Sequence, residues 1–384
     1  MRPEPFALER FFARHEFSAR HLLSTSDCQG LDLTDLLALA DDDSSRRWHR
    51  LTLGYTESQG LPELREQVAA AYKTVASLEV LVAAPEEAIF LAMNAILEPG
   101  DRVVCTFPGY QSLYQLALSI GCDVVFWEPV EAEKWRFDPD RLGELLAQNT
   151  KLVVWNFPHN PTGALPSHED YERMLALAEK AGAWVFSDEM YRLLELSPGT
   201  RLPAAVDRYE RAISLAGMSK AFGLAGLRLG WVATHNAALL ETMAGLKDYT
   251  TICAPAPSEV LALMALRNPA PIVDAHRERV TANVEIAAGF FARRARIMHW
   301  IPPQAGTVCF PRLLDDPFAS GKATTAPSAS AFCTRVLSET GALLLPSTAY
   351  GYGDSHFRLG LGRKDFAAGL DVLEAYLQQM DDAG

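Results

Sequence analysis

Long apolar runs are missing from this 384-residue chain, and so is any excess of positive charge. No stretch approaches the roughly 20 apolar residues that a membrane-crossing helix needs, so no membrane partner is expected. Met1 to Arg20 mixes Arg, Glu and Phe without an apolar core, and no signal peptide is expected there. The formal net charge is -13. A surface of that sign repels phosphate backbones, which argues against a nucleic-acid partner. The densest basic cluster, Arg293-Arg294-Ala295-Arg296, reads as the solvated end of a helix, where cations suit the dipole. Cysteine is sparse, with six residues at 28, 105, 122, 253, 309 and 333. No C-x-x-C and no paired His spacing occurs, so neither a metal site nor a disulfide framework is expected. Scattered thiols in apolar surroundings point to a reducing, cytoplasmic setting. Internal repeats and long low-complexity tracts are absent as well.

What is present is an alternation. Apolar strand-like runs at 80–83, 102–106, 123–127, 152–156, 183–186, 213–216 and 229–234 are separated by helical patterns at 85–97, 110–120, 138–146 and 167–181. Such alternation predicts βαβ units, a mostly parallel sheet and right-handed crossovers. After Thr234 the pattern turns helical, with a long helix expected from Pro271 to Met298. Shorter elements follow: strands near 306–310, 342–345 and 357–361, and helices at 328–340 and 364–379. Amphipathic helices are expected at 6–17 and 61–72, and a short helix or turn at 31–40. Asp41 to Asp43 reads as a solvated loop or a helix cap, and 54–60 as a glycine-bounded loop. Asp315 to Ala326 is the best surface-loop candidate. The length and this change of texture predict two domains: a large one over 45–270, and a smaller α+β one from 1–44 and 271–384.

Ligands in open parallel sheets bind beyond the carboxyl ends of the strands. The residues that follow each strand are therefore informative. Phe107-Pro108-Gly109-Tyr110 follows the second strand and Phe157-Pro158-His159-Asn160-Pro161-Thr162-Gly163 the fourth. Ser187-Asp188-Glu189-Met190-Tyr191 and Gly217-Met218-Ser219-Lys220 follow the next two. Lys220 is the lone lysine of an otherwise uncharged run that ends at Arg228. An amine, an acid, a phenol, an amide and an aromatic ring around one crevice are what a pyridoxal 5'-phosphate (PLP) site needs. The amine bonds the aldehyde, and the carboxylate keeps the ring nitrogen protonated so that the ring can take up electrons. Each residue also has a plainer alternative. Asp188 can cap a helix, Tyr110 and Tyr191 can be core tyrosines, and Arg358 can be a surface ion pair. Asn160 can simply build a turn, and His159 can pack or lie near the ring.

In their order and spacing, Asn160-Pro161-Thr162-Gly163, Asp188-x-x-Tyr191, Ser219-Lys220 and Arg228 resemble fold type I PLP-dependent enzymes. The resemblance is to the class I/II aminotransferase family, its aspartate-aminotransferase-like group, and runs from about Leu53 to Arg363. It implies a three-layer α/β sandwich with a mostly parallel sheet plus a smaller α+β domain, PLP as cofactor, and a homodimer. It also implies roles. Lys220 is the Schiff-base lysine and proton carrier, Asp188 pairs with the ring nitrogen, and Tyr191 and Asn160 donate to the ring oxygen. Tyr110 stacks on the ring, Arg228 and Ser219 hold the phosphate, and Tyr55 reaches the phosphate of the neighbouring subunit. Arg358, with Asn160, takes the substrate's α-carboxylate.

Two departures stand out. The family's phosphate-gripping turn is Ala83-Ala84-Pro85-Glu86 here, in which Pro85 has no N–H and Ala84 no hydroxyl. Gly217 stands where the family often has Ser or Thr. The phosphate should therefore lean on Arg228, Ser219, the remaining helix amides near Glu86, and Tyr55, with Thr250 or Thr251 of the other subunit as further candidates. The implied activity is transamination of an α-amino acid, ping-pong with a 2-oxo acid through pyridoxamine phosphate. The same residues would serve a lyase or cyclase acting at Cβ or Cγ, or a PLP-binding sensor without turnover. No metal is expected.

Overall fold

The computed structural model describes residues 2–146, 149–315 and 327–383. Among them the largest sheet has seven strands. These are β1 (Val80–Ala83), β2 (Arg102–Thr106), β3 (Asp123–Trp127), β4 (Thr150–Asn156), β5 (Trp184–Asp188), β6 (Ala212–Gly217) and β7 (Gly230–Ala233). Their spatial order is β1-β7-β6-β5-β4-β2-β3. Only β7 runs against the others in this sheet.

Alternate residues of each central strand enter different cores. Val103, Cys105, Leu152, Val154, Phe186, Ile213 and Leu215 join one, together with residues of helices Pro85–Ile96, Ser112–Ile120 and Ala256–Arg267. Val104, Val153, Trp155, Val185 and Ala212 join the other, with residues of Pro139–Leu145 and His168–Ala181. A strand whose alternate side chains feed two cores is covered on both faces, which explains its unbroken apolar sequence. The fold is thus a three-layer α/β sandwich. Local chemistry sets the element ends. The Ser167 side chain accepts from the Asp170 N–H at the start of His168–Ala181, and Gly182, with φ 68°, ends that helix.

The last third builds smaller sheets. Val308–Cys309, Phe357–Gly360 and Leu345–Pro346 pair antiparallel, with Phe357–Gly360 in the middle. The N-terminal strand His21–Leu22 pairs in parallel with Ala342–Leu343, so the start of the chain is stitched to its end. Gly360 donates to the Leu23 carbonyl at 2.8 Å, and Gln29 donates to the Gly362 carbonyl at 3.0 Å. A Cβ on Gly360 would collide with the Thr25 carbonyl. Residues 24–27 are therefore pressed against the Phe357–Gly360 strand.

Some expectations shift. The long helix is Ala270–Arg293 and stops short of Met298, because Met298–His299 pairs with Arg312–Leu313 instead. Arg294, expected at a solvated helix end, is buried and meets Glu374 of the C-terminal helix at 3.1 Å. Asp41 is a cap: its side chain accepts from the Ser44 N–H at 2.6 Å and starts helix Asp42–His49. The surface loop expected over 315–326 lies, beyond Asp315, outside the described residues. All six cysteines are free thiols. Among the described residues, no helix is long and apolar enough to cross a membrane, and no cluster of potential metal ligands occurs.

Gly360→Ala tests the clamp on residues 24–27. Forcing a methyl into that contact should lower unfolding free energy by about 1–3 kcal/mol in urea denaturation. An unchanged midpoint would contradict the close packing.

Candidate active site

Parallel register delivers the central side chains. Asn156 pairs with Asp188 across β4 and β5, and Asp188 pairs with Leu215 of β6. The loops that follow these strands surround a cavity of about 380 Å³. Asp188, Tyr191, Asn160, Tyr110, Ser219, Lys220, Arg228 and Arg358 all line it, as do Pro85 and Glu86.

Lys220 donates to Ser26 Oγ at 2.9 Å, and its Nζ lies 5.7 Å from the centre of the Tyr191 ring. Desolvation holds this amine below the ordinary lysine range; Asp27 pulls the other way, and Arg358 adds to the lowering. Asp188 is only 5% exposed and accepts from the Met190 N–H at 3.0 Å. Burial pushes its carboxyl up to about 7, against the pull of that N–H and of Lys220.

Arg358 sits in a built socket and is 1% exposed. Its Nε donates to the Ser24 carbonyl at 2.9 Å. Its Nη1 donates to Tyr350 Oη at 2.6 Å and to Asn160 Oδ1 at 3.3 Å. The Tyr350 hydroxyl donates to the same Asn160 oxygen at 3.0 Å. These bonds fix the Asn160 amide with its oxygen toward Arg358, which leaves its NH2 to donate elsewhere. The Phe12 ring packs 5.5 Å from the guanidinium. Among the described residues, no carboxylate pairs with Arg358.

Several features fit the residues to PLP. The Tyr191 hydroxyl is buried beside Ser26 without a well-formed hydrogen bond among the described residues. A buried polar atom left this way awaits a partner. Asp188 is an acid in want of a cation, which a protonated ring nitrogen supplies. Arg228 donates to the Ala225 carbonyl through Nη1, and its other guanidinium donors remain for a phosphate.

The phosphate end carries the two departures, and they are one packing event. A Cβ on Gly217 would come 3.2 Å from Pro85 Cγ and 3.0 Å from Gly230 Cα. A side chain at 217 would thus be crowded by the Gly230 backbone and the Pro85 ring together. Glu86 adds a carboxyl at this end; burial raises it, and it accepts from Ser112 Oγ at 3.2 Å.

Other expected residues lie elsewhere. Tyr55 is 88% exposed and Ala84 caps the helix Pro85–Ile96; neither lines the cavity. Thr251 bonds Glu87 at 2.8 Å, and Thr250 also bonds Glu87. His159 packs 4.7 Å from the Phe137 ring with Nδ1 against Thr162 Oγ1 at 2.7 Å. Burial drives its pKa down to about 3, so it is neutral. Tyr110 lines the cavity, but its hydroxyl is held by Glu9 at 3.1 Å and its ring lies 4.9 Å from Phe6.

The sequence reading missed the N-terminal wall: Glu9, Phe12, Glu16, Ser26 and Asp27. It also missed Tyr350, the brace of Arg358. The spacing of 9, 12 and 16 on one helical face was the available signal.

The family model for aminotransferase class I and II matches residues 22–366. The chain belongs to that family, and its cofactor is PLP. Capreomycidine synthase of Streptomyces vinaceus is 27% identical, over 96% of this chain and 93% of its own. A PLP-dependent aminotransferase from Streptococcus suis superposes with TM-score 0.89 at 27% identity, covering 99% of both chains. The PLP-dependent cyclase OrfR superposes with TM-score 0.87 at 27% identity, covering 99% of this chain and 98% of its own.

Asp188 makes a pH-dependent prediction for the cofactor-free protein. Its folded pKa, about 7, lies above the unfolded 3.8, so folding favours the neutral carboxyl. That contribution is whole below the unfolded value and is lost as pH rises through about 7. Asp188→Asn should therefore flatten the fall in urea midpoint across this window. Equal slopes in both proteins would contradict the assigned burial cost.

Proposed function

We propose that the protein transaminates an α-amino acid, with a 2-oxo acid as the second substrate in a ping-pong cycle. The observation that carries this reading is Arg358, a buried guanidinium with no carboxylate of its own beside the Lys220 amine and Asp188. A buried cation without an anion is costly, and a substrate α-carboxylate removes that cost. Bound PLP supplies an aldehyde that bonds the substrate amine and a pyridinium ring that takes up electrons.

The chain's own groups divide the work. Arg358 and the Asn160 NH2 fix the carboxylate, which presents the Cα–H to Lys220. An amine with a lowered pKa is a competent base near neutral pH, so Lys220 would take that proton from Cα and carry it. In the cofactor-free chain Ser26 Oγ accepts from the amine at 2.9 Å and would orient it whenever it is free. Asp188 keeps the ring nitrogen protonated, and Tyr191 donates to the ring oxygen. Arg228 and Ser219 carry the phosphate.

A second copy of the chain belongs in this reading. Leu53, Tyr55, Tyr249 and Ile252 are exposed apolar residues, and the neighbouring Thr250 and Thr251 bond Glu87, next to Glu86 of the cavity lining. Their exposure supports a homodimer in which Tyr55 of one subunit reaches the other's phosphate.

The similarity to a PLP-dependent cyclase favours a second reading, in which the same proton removal leads to bond-making at Cβ or Cγ. Single-turnover product analysis separates the two. The PLP-loaded protein is mixed with an amino-acid panel and no acceptor. Transamination predicts stoichiometric conversion of the cofactor to its amine form, with one equivalent of 2-oxo acid. Full recovery of PLP beside a cyclised or eliminated product would overturn it.

A further inference from the structure

Once the groups above are assigned, the cavity retains an imbalance of charge. Its lining carries the cations Lys220, Arg228 and Arg358 and the carboxylates Glu9, Glu16, Asp27, Glu86 and Asp188. Arg228 faces the phosphate, Arg358 the α-carboxylate, and Lys220 and Asp188 the reacting amine and ring nitrogen. Glu86 stands at the phosphate end and is bonded by Ser112. Glu9, Glu16 and Asp27 remain, all from the N-terminal segment; Asp27 and Glu9 act on Lys220 at longer range, but among the described residues none of the three forms an ion pair with a lining cation.

Their partners are few. Asp27 meets Arg363, outside the lining, at 3.4 Å. Glu9 accepts from the neutral Tyr110 hydroxyl. The Glu16 carboxylate has no hydrogen bond or ion pair among the described residues. Burial raises its pKa, and Asp27 and Glu9 add to the rise while Arg363 and Arg358 oppose it. These groups therefore sense one another. Helix Ala7–His15 sets the geometry, because positions three and four apart share a face. Phe12 lies over Arg358, with Glu9 about one turn before it and Glu16 about one turn after it.

That this cavity takes a ligand stands on separate ground. Tyr191 and Arg358 are both more than nine-tenths buried in its wall; among the described residues the Tyr191 hydroxyl has no well-formed hydrogen bond and Arg358 no carboxylate partner. We propose that the amino acid bound here has a cationic side chain, an ammonium or guanidinium held by Glu16 and Asp27 with Glu9 beside them. The proposal rests on the reading above in one respect, the α-carboxylate at Arg358. An acidic side chain would meet three carboxylates, of which only Asp27 has an ion-pair partner, Arg363. A neutral one would leave the half-buried Glu16 without a partner.

The test is equilibrium binding, read from the change in cofactor absorbance of the PLP-loaded protein without an acceptor. The probes are L-arginine, L-lysine, L-norleucine and L-aspartate. At least one cationic amino acid should bind about tenfold or more tighter than L-norleucine, with L-aspartate weakest. Glu16→Gln should cut that advantage to below about threefold and leave L-norleucine binding in place, and Asp27→Asn should likewise narrow the gap between the cationic amino acids and L-norleucine. L-Norleucine or L-aspartate binding as tightly as both cations would overturn the proposal, and so would an undiminished advantage in both variants. If a variant fails to take up PLP, the ranking by the unmodified protein decides. Selective binding of a cation with no amination of the cofactor would defeat transamination and leave this proposal standing. Amination by neutral or acidic amino acids alone would do the reverse.

Discussion

The amine of Lys220 is drawn partly out of water into the cavity, and much of the structure follows from that. A lysine at this position is tolerable because Ser26 accepts its hydrogen bond and because Asp27, Glu9 and Asp188 offset part of the desolvation. Each of those partners has to be delivered from a different part of the chain. Asp188 arrives on the end of β5. Ser26 and Asp27 arrive because His21–Leu22 pairs with Ala342–Leu343 and because glycines at 360 and 362 let residues 25–28 approach the backbone. The antiparallel strand β7 completes the setting by returning the chain from Arg228 alongside β6. The lowered pKa that suits Lys220 to proton transfer is thus a property of the whole fold.

The two ends of the cavity are built on different logic. At the carboxylate end, Arg358 is over-determined: Ser24, Tyr350, Asn160 and Phe12 all fix it. At the phosphate end, the chain gives up donors. Pro85 offers no N–H, and its ring, with the Gly230 backbone, crowds a side chain at 217. Glu86 puts an acid where anionic oxygens must come. In the proposed reading the phosphate leans on Arg228, which occupies a left-handed backbone position, φ 51°. That conformation turns the residue back toward the cavity after the single turn Ala225–Leu227.

The central sheet was legible because its strands are short unbroken apolar runs bounded by Pro, Gly and polar residues. Val80–Ala83, Arg102–Thr106 and Asp123–Trp127 fall where the pattern puts them. Lys220, Asp188, Asn160 and Arg228 were legible because they follow strands in a fixed order. The paired strands of two residues, such as His21–Leu22 and Met298–His299, were not. Two residues carry no period, and their partners are remote in sequence. For the same reason the N-terminal wall stayed hidden. Nothing local in Ser26 or Asp27 says that they close a site built some two hundred residues later. Tyr350 is another such case, since its role exists only once Asn160 and Arg358 are brought to it.

The central claim is that Lys220 is the amine that bonds the cofactor. The most direct measurement is borohydride reduction of the PLP-loaded protein, followed by digestion and mass spectrometry. The account predicts one cofactor mass per chain, on the peptide that contains Lys220, and none in Lys220→Ala. Label on Lys247 or any other lysine, or an unlabelled Lys220 in a protein that shows the cofactor's absorbance, would contradict it.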